Sequence, residues 1–392
     1  MKQLENVLLV HNYYQIPGGE DTVVTNEKKL LENNGHKVIL YSRSNSELKK
    51  WTTFRKLVFP LSMVFNIKTY KDIKKIIQTE RIDIVHVHNT LAMVSPSVYY
   101  AALCCNAPVV QTIHNFRLLC PGATFYRDGH ICKDCIKYGL FCAVRHNCYR
   151  GSKAATFACV LNMWIHRALK IYQKLNYICL TEFNKDALLK LKQINENQIF
   201  IKPNFSDNLD IETIPYKHRK KRFIYAGRID KSKGIDVLFD AWRQMGAEAP
   251  QLLVCGIGPM EDWCKEYIKK NQLNQIYLLG YVPNPQLKML MADSLALIMP
   301  TQLYEGFPMT IVEAYSTGTP VIGSDIGNVG SLIEDGITGW KFKTDSAEDL
   351  AKRVKQVSDI CTSVQEEFRK KYTSLHNYDL IKSIYEKIVS DS

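Results

Sequence analysis

The chain has 392 residues, 46% of them hydrophobic and 23% charged, with a net charge of +12. That length exceeds one ordinary core and predicts two domains, while the composition excludes a disordered chain. The positive balance asks for a negative partner: nucleic acid, an anionic membrane face or phosphorylated substrates.

The N-terminal Met-Lys-Gln-Leu-Glu-Asn has no secretory-signal pattern, and no apolar run approaches the roughly 18 residues needed to span a bilayer. The expected location is the cytoplasm, where thiols stay reduced, so the 12 cysteines need a use other than disulfides. The run "NVLLVHNY" predicts a buried first strand, "IPGGED" a turn, "TVVTNEKKLLENNG" a helix stopped by Gly35, and "HKVILYSR" the next strand. The stretch 47–75, "ELKKWTTFRKLVFPLSMVFNIKTYKDIKK", mixes eight Lys and Arg with Trp51, Phe54, Phe59 and Phe65. Cations interleaved with aromatics fit a helix lying on an anionic membrane surface, and an amphipathic core helix fits equally well. Further short buried strands follow at 82–89 ("IDIVHVHN") and 107–115 ("APVVQTIHN").

Six cysteines fall between 120 and 159, in a stretch without strand or helix periodicity. Cys132 and Cys135 form a C-x-x-C pair, with Cys120 before it and Cys148 after it. Four thiolates there would make a closed structural zinc site that pins the loop; plain thiols are the other reading.

After "IFIKPNFSD" (199–207) the alternation restarts with "RFIYAGRI", "QLLVCGIG", "QIYLLGYV", "LALIMP" and "TPVIGSD". Strands alternating with helices in two such stretches predict an α/β protein of two Rossmann-like, doubly wound parallel-sheet domains. The expected division is 1–205, carrying the Cys-rich loop 120–159, then 206–372. A last helix in 373–392 is free to pack anywhere, the N-terminal domain included.

In open parallel sheets ligands sit beyond the carboxyl ends of the strands. The residues expected there are Gly18 and Gly19, His114, Arg228 and Lys233, Gly258, and Glu305. Arg228 and Lys233, five apart at a strand-to-helix junction, suit a diphosphate, since cations oppose a helix dipole unless an anion is bound. Pro308 and Gly318 bracket a predicted helix, "PMTIVEAYST", whose N-terminal amides make an anion site. Glu313 lies five residues in, about 7–8 Å along the axis, which is the reach from a phosphate to a ribose diol. Glu305 precedes the helix on the side of whatever the phosphate carries.

The runs "AGRIDKSKGIDVLFDAW", "GIGPM" and "YEGFPMTIVEAYSTGTPVIGSDIGNVGSLIEDGITGW", with the N-terminal "PGGED", resemble the glycosyltransferases of family four over nearly the whole chain. The resemblance implies the two-domain B-type fold and retaining transfer without a catalytic metal, and no Asp-x-Asp triplet is present. It implies that Glu305 and Glu313 are the two acids of a Glu, seven residues, Glu motif. The first would lie near the donor sugar and phosphates and the second on the ribose. It places Arg228 and Lys233 on the diphosphate, His114 by the transferred sugar, and Gly18 and Gly19 where backbone approaches donor and acceptor. The implied partners are a nucleotide-sugar donor and a saccharide acceptor, lipid-linked in bacterial surface-polysaccharide assembly (capsule, exopolysaccharide or O-antigen), at the inner face of the membrane. Nucleic acid is not among them.

Rival classes fare worse. A dehydrogenase needs G-x-G-x-x-G after the first strand, and "GIGPME" supplies two of the glycines; a G-x-x-x-x-G-K-[ST] loop is missing. The non-catalytic alternative is a basic scaffold that binds nucleic acid or a partner and is stabilised by a zinc loop. A silent transferase homologue is opposed by the intact Arg228, Lys233, Glu305 and Glu313.

Overall fold

The computed structural model describes residues 4–15, 18–52, 59–206 and 213–391. The stretch 53–58, with Phe54 of the basic aromatic segment, and the linker residues 207–212 lie outside the described residues. The chain divides into two compact units: Met1–Phe125, Lys133–Asn204 and Asn377–Ser392 in the first, Tyr126–Cys132 and Phe205–His376 in the second.

The chain runs β1 (Asn6–Tyr13), α1 (Gly19–Asn33), β2 (Lys37–Ser44), α2 (Phe59–Val64), α3 (Ile67–Glu80), β3 (Ile84–Val87), α4 (Ser97–Cys104) and β4 (Val109–Ile113). A short hairpin, β5 (Tyr126–Arg127) and β6 (His130–Ile131), then precedes α5 (Asp134–Lys137), α6 (Cys142–Arg145), α7 (Lys153–Ala168), β7 (Asn176–Cys179), α8 (Glu182–Leu189) and β8 (Ile199–Ile201). The second unit holds β9 (Arg222–Ala226), α9 (Ile235–Met245), β10 (Gln251–Cys255), α10 (Glu261–Asn271), β11 (Ile276–Gly280), α11 (Asn284–Ala292) and β12 (Ala296–Met299). It continues through α12 (Met309–Ser316), β13 (Val321–Ser324), α13 (Gly327–Leu332), β14 (Gly339–Phe342), α14 (Ala347–Lys355) and α15 (Cys361–Lys371), and α16 (Ser374–Ser390) ends the chain.

The first unit's sheet is parallel with order β2-β1-β3-β4-β7-β8. Helices cover both faces of such a sheet, so its strands read as continuous apolar runs, and Val7, Leu8, Leu9 and Val10 are fully buried. The C-terminal α16 lays Ile381, Ile384, Tyr385 and Ile388 against Val7, Leu9, Ile84 and Val110 of this sheet. Each such side chain stabilises by about 1.5–3 kcal/mol on burial. Strand order reverses between β1 and β3, so the switch-point crevice of this unit opens beside Gly18 and His88.

The second unit's sheet is also parallel, in the order β11-β10-β9-β12-β13-β14. Its switch point lies between β9 and β12. The residues leaving those two strands are Arg228–Lys233 and Thr301–Glu305. Gly234 is required where the two loops meet, because a Cβ there would stand 1.8 Å from the Pro300 carbonyl oxygen and φ is +71°.

The Cys-rich stretch is more ordered than its lack of periodicity predicts. Asp128 and Gly129, with φ of +51° and +82°, make the two-residue turn that pairs β5 with β6. Cys135 packs with Leu140, Ala143, Cys159, Val160 and Met163. Cys120, Cys132 and Cys148 are half-buried, and a zinc ion on these thiols and Cys135 stands as a proposal that metal analysis tests. Among the described residues, the ligand atoms of Glu27, His86 and His88 lie within 4.8 Å of one another. Also among the described residues, no helix is long and apolar enough to cross a membrane.

Candidate active-site residues

In the second unit the strand tips bring Lys233 and Glu305 together. The Lys233 ammonium lies 2.6 Å from Glu305 Oε1, and the Thr301 hydroxyl donates to the same oxygen at 3.0 Å. Asn328, buried on α13, donates its amide to the carbonyls of Glu305 and Gly306, which fixes the loop ahead of α12. Arg228 is exposed, with Nε 3.8 Å from Asp230 Oδ2. Asp230 caps the turn Lys231–Lys233 by accepting from the Ser232 amide and hydroxyl. Burial alone would raise the Asp230 carboxyl; the Ser232 hydrogen bonds, Arg228 and Lys233 together hold it below its usual value. Arg228 and Lys233 thus both act on the Asp230 carboxylate, while the Lys233 ammonium itself sits on Glu305.

Helix α12 begins at Met309, with Pro308 as its N-cap and not its first residue. Glu313 remains five residues into the helix. Its carboxylate accepts from Asn284 Nδ2 at 2.6 Å. Burial raises its pKa, against the Asn284 hydrogen bond and the nearby Lys288 ammonium. Glu305 and Glu313 therefore stand in separate settings, one paired with a cation and one paired with an amide.

Gly258 follows β10 at the tip of the second sheet. Its amide donates to Glu261 Oε1 at 2.7 Å, and a Cβ would lie 2.2 Å from the Ile229 carbonyl oxygen. The glycine is needed so that the loops after β9 and β10 can touch. Tyr126, from the hairpin counted with this unit, donates to Gln302 Oε1 at 3.1 Å.

In the first unit Gly18 and Gly19 begin α1 with open space where side chains would be. Asp21 holds this loop: it accepts from the Gly18 amide at 2.9 Å and from His11 Nε2 at 2.8 Å. His114 follows β4, with Nε2 2.9 Å from His88 Nδ1, and the two rings stack at 5.2 Å. His88 Nε2 lies 3.2 Å and His86 Nδ1 3.0 Å from Glu27 Oε1, while the Lys202 ammonium lies 2.9 Å from Glu27 Oε2. The cation this buried acid holds is Lys202. Burial would raise the Glu27 carboxyl, but Lys202, His86 and His88 hold it well below its usual value. Burial, with His86 next to it, pushes His88 down to about 3, and burial with His88 pushes His114 down as well, so both imidazoles are neutral at pH 7. A carboxylate beside His88 Nε2 favours the proton there. His88 Nδ1 then accepts from His114 Nε2–H, and His114 Nδ1 is left with its lone pair.

Glu20 lies within the "PGGED" run, where nothing in the sequence assigns it a role. Its carboxyl is pushed up to about 8 by burial, against the hydrogen bond from Tyr14 and with Asp21 adding to the rise. Tyr14 donates to its Oε2 at 3.0 Å. The native state holds a proton that the unfolded chain releases near pH 4.5. Stability from this group is complete below that value and is lost as pH rises through about 8. Urea midpoints at pH 5 and 8.5 should therefore fall more for wild type than for Glu20→Gln; an identical pH dependence in both would disprove the assignment.

The chain matches two family models: that described as Glycosyltransferase Family 4 over residues 17–207, and that described as Glycosyl transferases group 1 over 207–372. It is 21% identical over 349 residues to an uncharacterised 41.2 kDa protein in the cps region of Klebsiella pneumoniae, covering 87% of each chain. It is 29% identical over 145 residues to the putative colanic acid biosynthesis glycosyltransferase WcaL of Salmonella typhimurium, covering 35% of this chain and 36% of that one. Its fold is similar to that of HepE from Anabaena, solved in complex with UDP, at a TM-score of 0.66 and 16% identity over 98% of this chain and 100% of that one.

Proposed function

The chain belongs to glycosyltransferase family four, with the two-Rossmann B-type fold, and from that premise we propose that it moves a hexose-type sugar, with retention of configuration, from a nucleoside-diphosphate sugar to a lipid-linked saccharide of bacterial surface polysaccharide. The observation that carries this reading is the Lys233–Glu305 pair at the switch point of the second sheet, beside Arg228 and the N-terminus of α12. The similarity to HepE, solved with UDP, and to WcaL, named for colanic acid biosynthesis, supports the donor and acceptor classes.

In this scheme the departing diphosphate develops charge, and Arg228, Lys233 and the α12 amides stabilise it without a catalytic metal. Glu313, braced by Asn284, accepts from the ribose diol. Glu305 orients Lys233 next to the reacting end. The acceptor hydroxyl attacks from the face the diphosphate leaves, with the lone pair of His114 directed to the transferred sugar. The protein works in the cytoplasm, peripheral on the inner face of the membrane, with the basic aromatic segment 47–75 as its first point of attachment.

A panel of nucleotide sugars in a hydrolysis assay tests the reading. One nucleoside diphosphate should raise Tm by several degrees at saturating concentration, as a ligand bound by the native state alone must. Glu313→Ala should bind that nucleotide about tenfold more weakly, the effect of one lost charge-assisted hydrogen bond. Equal affinity in wild type and variant would sink the ribose assignment. Tight oligonucleotide binding that persists at high salt, with no response to any nucleotide, would favour the scaffold alternative.

A further inference from the structure

Resting on the membrane-linked acceptor just proposed but carried by other residues, we infer that the outer face of α7 (Lys153–Ala168) is the surface that seats the protein on an anionic membrane. Residues 153, 157, 161, 164 and 168 recur at helical spacing along that face. Phe157 and Trp164 on it are 47% and 51% exposed, and Leu169 just beyond it is 59% exposed. The opposite face is already buried through Thr156, Cys159, Val160, Met163 and His166. A helix apolar on both faces needs a second apolar environment besides its own core.

The stripe has company. Phe141, 51% exposed, meets Phe157 at 6.5 Å between ring centres. Helix α2 packs against α7 and presents Leu61, 71% exposed. Helix α2, from the basic aromatic segment, thus shares the surface with α7. Scattered single exposed apolar side chains are ordinary, but a continuous set of large ones marks an interaction face.

Charge selects the occupant. Between Gly129 and Thr181 the sequence has eight Lys and Arg and a single acidic residue, Asp134. Cations flanking an aromatic stripe match anionic headgroups above an acyl boundary, where Trp and Phe are favoured. A second copy of the chain would meet the same patch with the same charge, because a twofold interface places like against like. Nucleic acid would satisfy the cations but leave Phe157, Trp164 and Leu61 in water.

The test floats the full chain on vesicles of phosphatidylglycerol with phosphatidylcholine, and on phosphatidylcholine alone, at low and high salt. Wild type should float with the anionic vesicles at low salt and at least tenfold less with the neutral ones. Phe157→Ser with Trp164→Ser should lower the bound fraction at least tenfold, as should Arg150→Glu with Lys153→Glu. Both double variants should keep the nucleotide-induced rise in Tm, which reports an intact fold. Three results would overturn the inference: flotation of the Phe157/Trp164 variant like wild type, a lipid-free dimer that this variant alone dissolves, or salt-resistant oligonucleotide binding that it alone loses. A chain that floats as expected yet responds to no nucleoside diphosphate would sink the donor reading and leave this surface standing.

Discussion

Replacing Lys233 with alanine is expected to lower kcat about 10²–10³-fold, the typical loss when one preorganised group facing developing charge is removed. The switch point between β9 and β12 is where an open parallel sheet presents ligands, and Lys233 leaves the first of those strands. Its ammonium is held 2.6 Å from Glu305, so it is oriented before any donor arrives. The pair is partly exposed, with side-chain accessibilities of 30% and 15%, and Glu305 keeps the Thr301 hydroxyl when the lysine is gone. Stability should therefore change by less than about 1 kcal/mol. Nucleoside-diphosphate affinity should fall less than kcat, because the charge the lysine meets grows as the glycosidic bond breaks. Steady-state rates at saturating donor, together with nucleotide titration, read both quantities. A kcat within about threefold of wild type would retire Lys233 as the leaving-group cation.

Most strands are legible in the sequence because parallel sheets demand it. A strand covered on both faces has no polar face to interrupt the run, and "NVLLVHNY" is β1 residue for residue. Strand β14, with the sequence "GWKF", escapes such a reading, since four residues give too little periodicity to count. The hairpin of β5 and β6 does carry a local sign, the Asp128-Gly129 turn, but it is masked inside a cysteine-rich stretch that draws attention to its thiols.

The candidate site divides in the same way. Arg228, Lys233, Glu305 and His114 are legible because residues that follow buried strands are fixed at strand tips by topology alone. At Gly258 the sequence is ambiguous, because a glycine needed for loop-to-loop packing has the same signature as one needed for a ligand. Spacing alone could not show that Cys135 sits in an apolar cluster with Leu140, Ala143 and Met163. The Glu27–Lys202 pair spans 175 positions, so nothing local announces it. One local sign does exist: His86 on β3 and His88 just past its end are two residues apart, the spacing that puts two imidazoles on one face.

Glu27→Gln is expected to destabilise the fold by about 3–5 kcal/mol, the usual cost of leaving a buried charge without its partner. Glu27 and Lys202 are both 1% exposed, and beyond Glu27 the ammonium is held by Asn377 Oδ1 at 3.0 Å. A neutral amide in place of the carboxylate leaves the lysine charge buried and uncompensated. Urea unfolding followed by circular dichroism measures the loss, and a change below about 1 kcal/mol would show that the pair is not the anchor it is taken to be. Adding Lys202→Met removes the stranded charge and should restore much of the stability, because no uncompensated charge then remains buried. The double variant then separates fold from site. The amide of Glu27→Gln can either accept from or donate to His88 Nε2, so the tautomer of His88, and with it that of His114, is no longer fixed. The double variant should refold well yet keep a kcat about tenfold or more below wild type. Full recovery of both stability and rate would reduce Glu27 to a structural counter-ion and free His114 from the chain of contacts behind it.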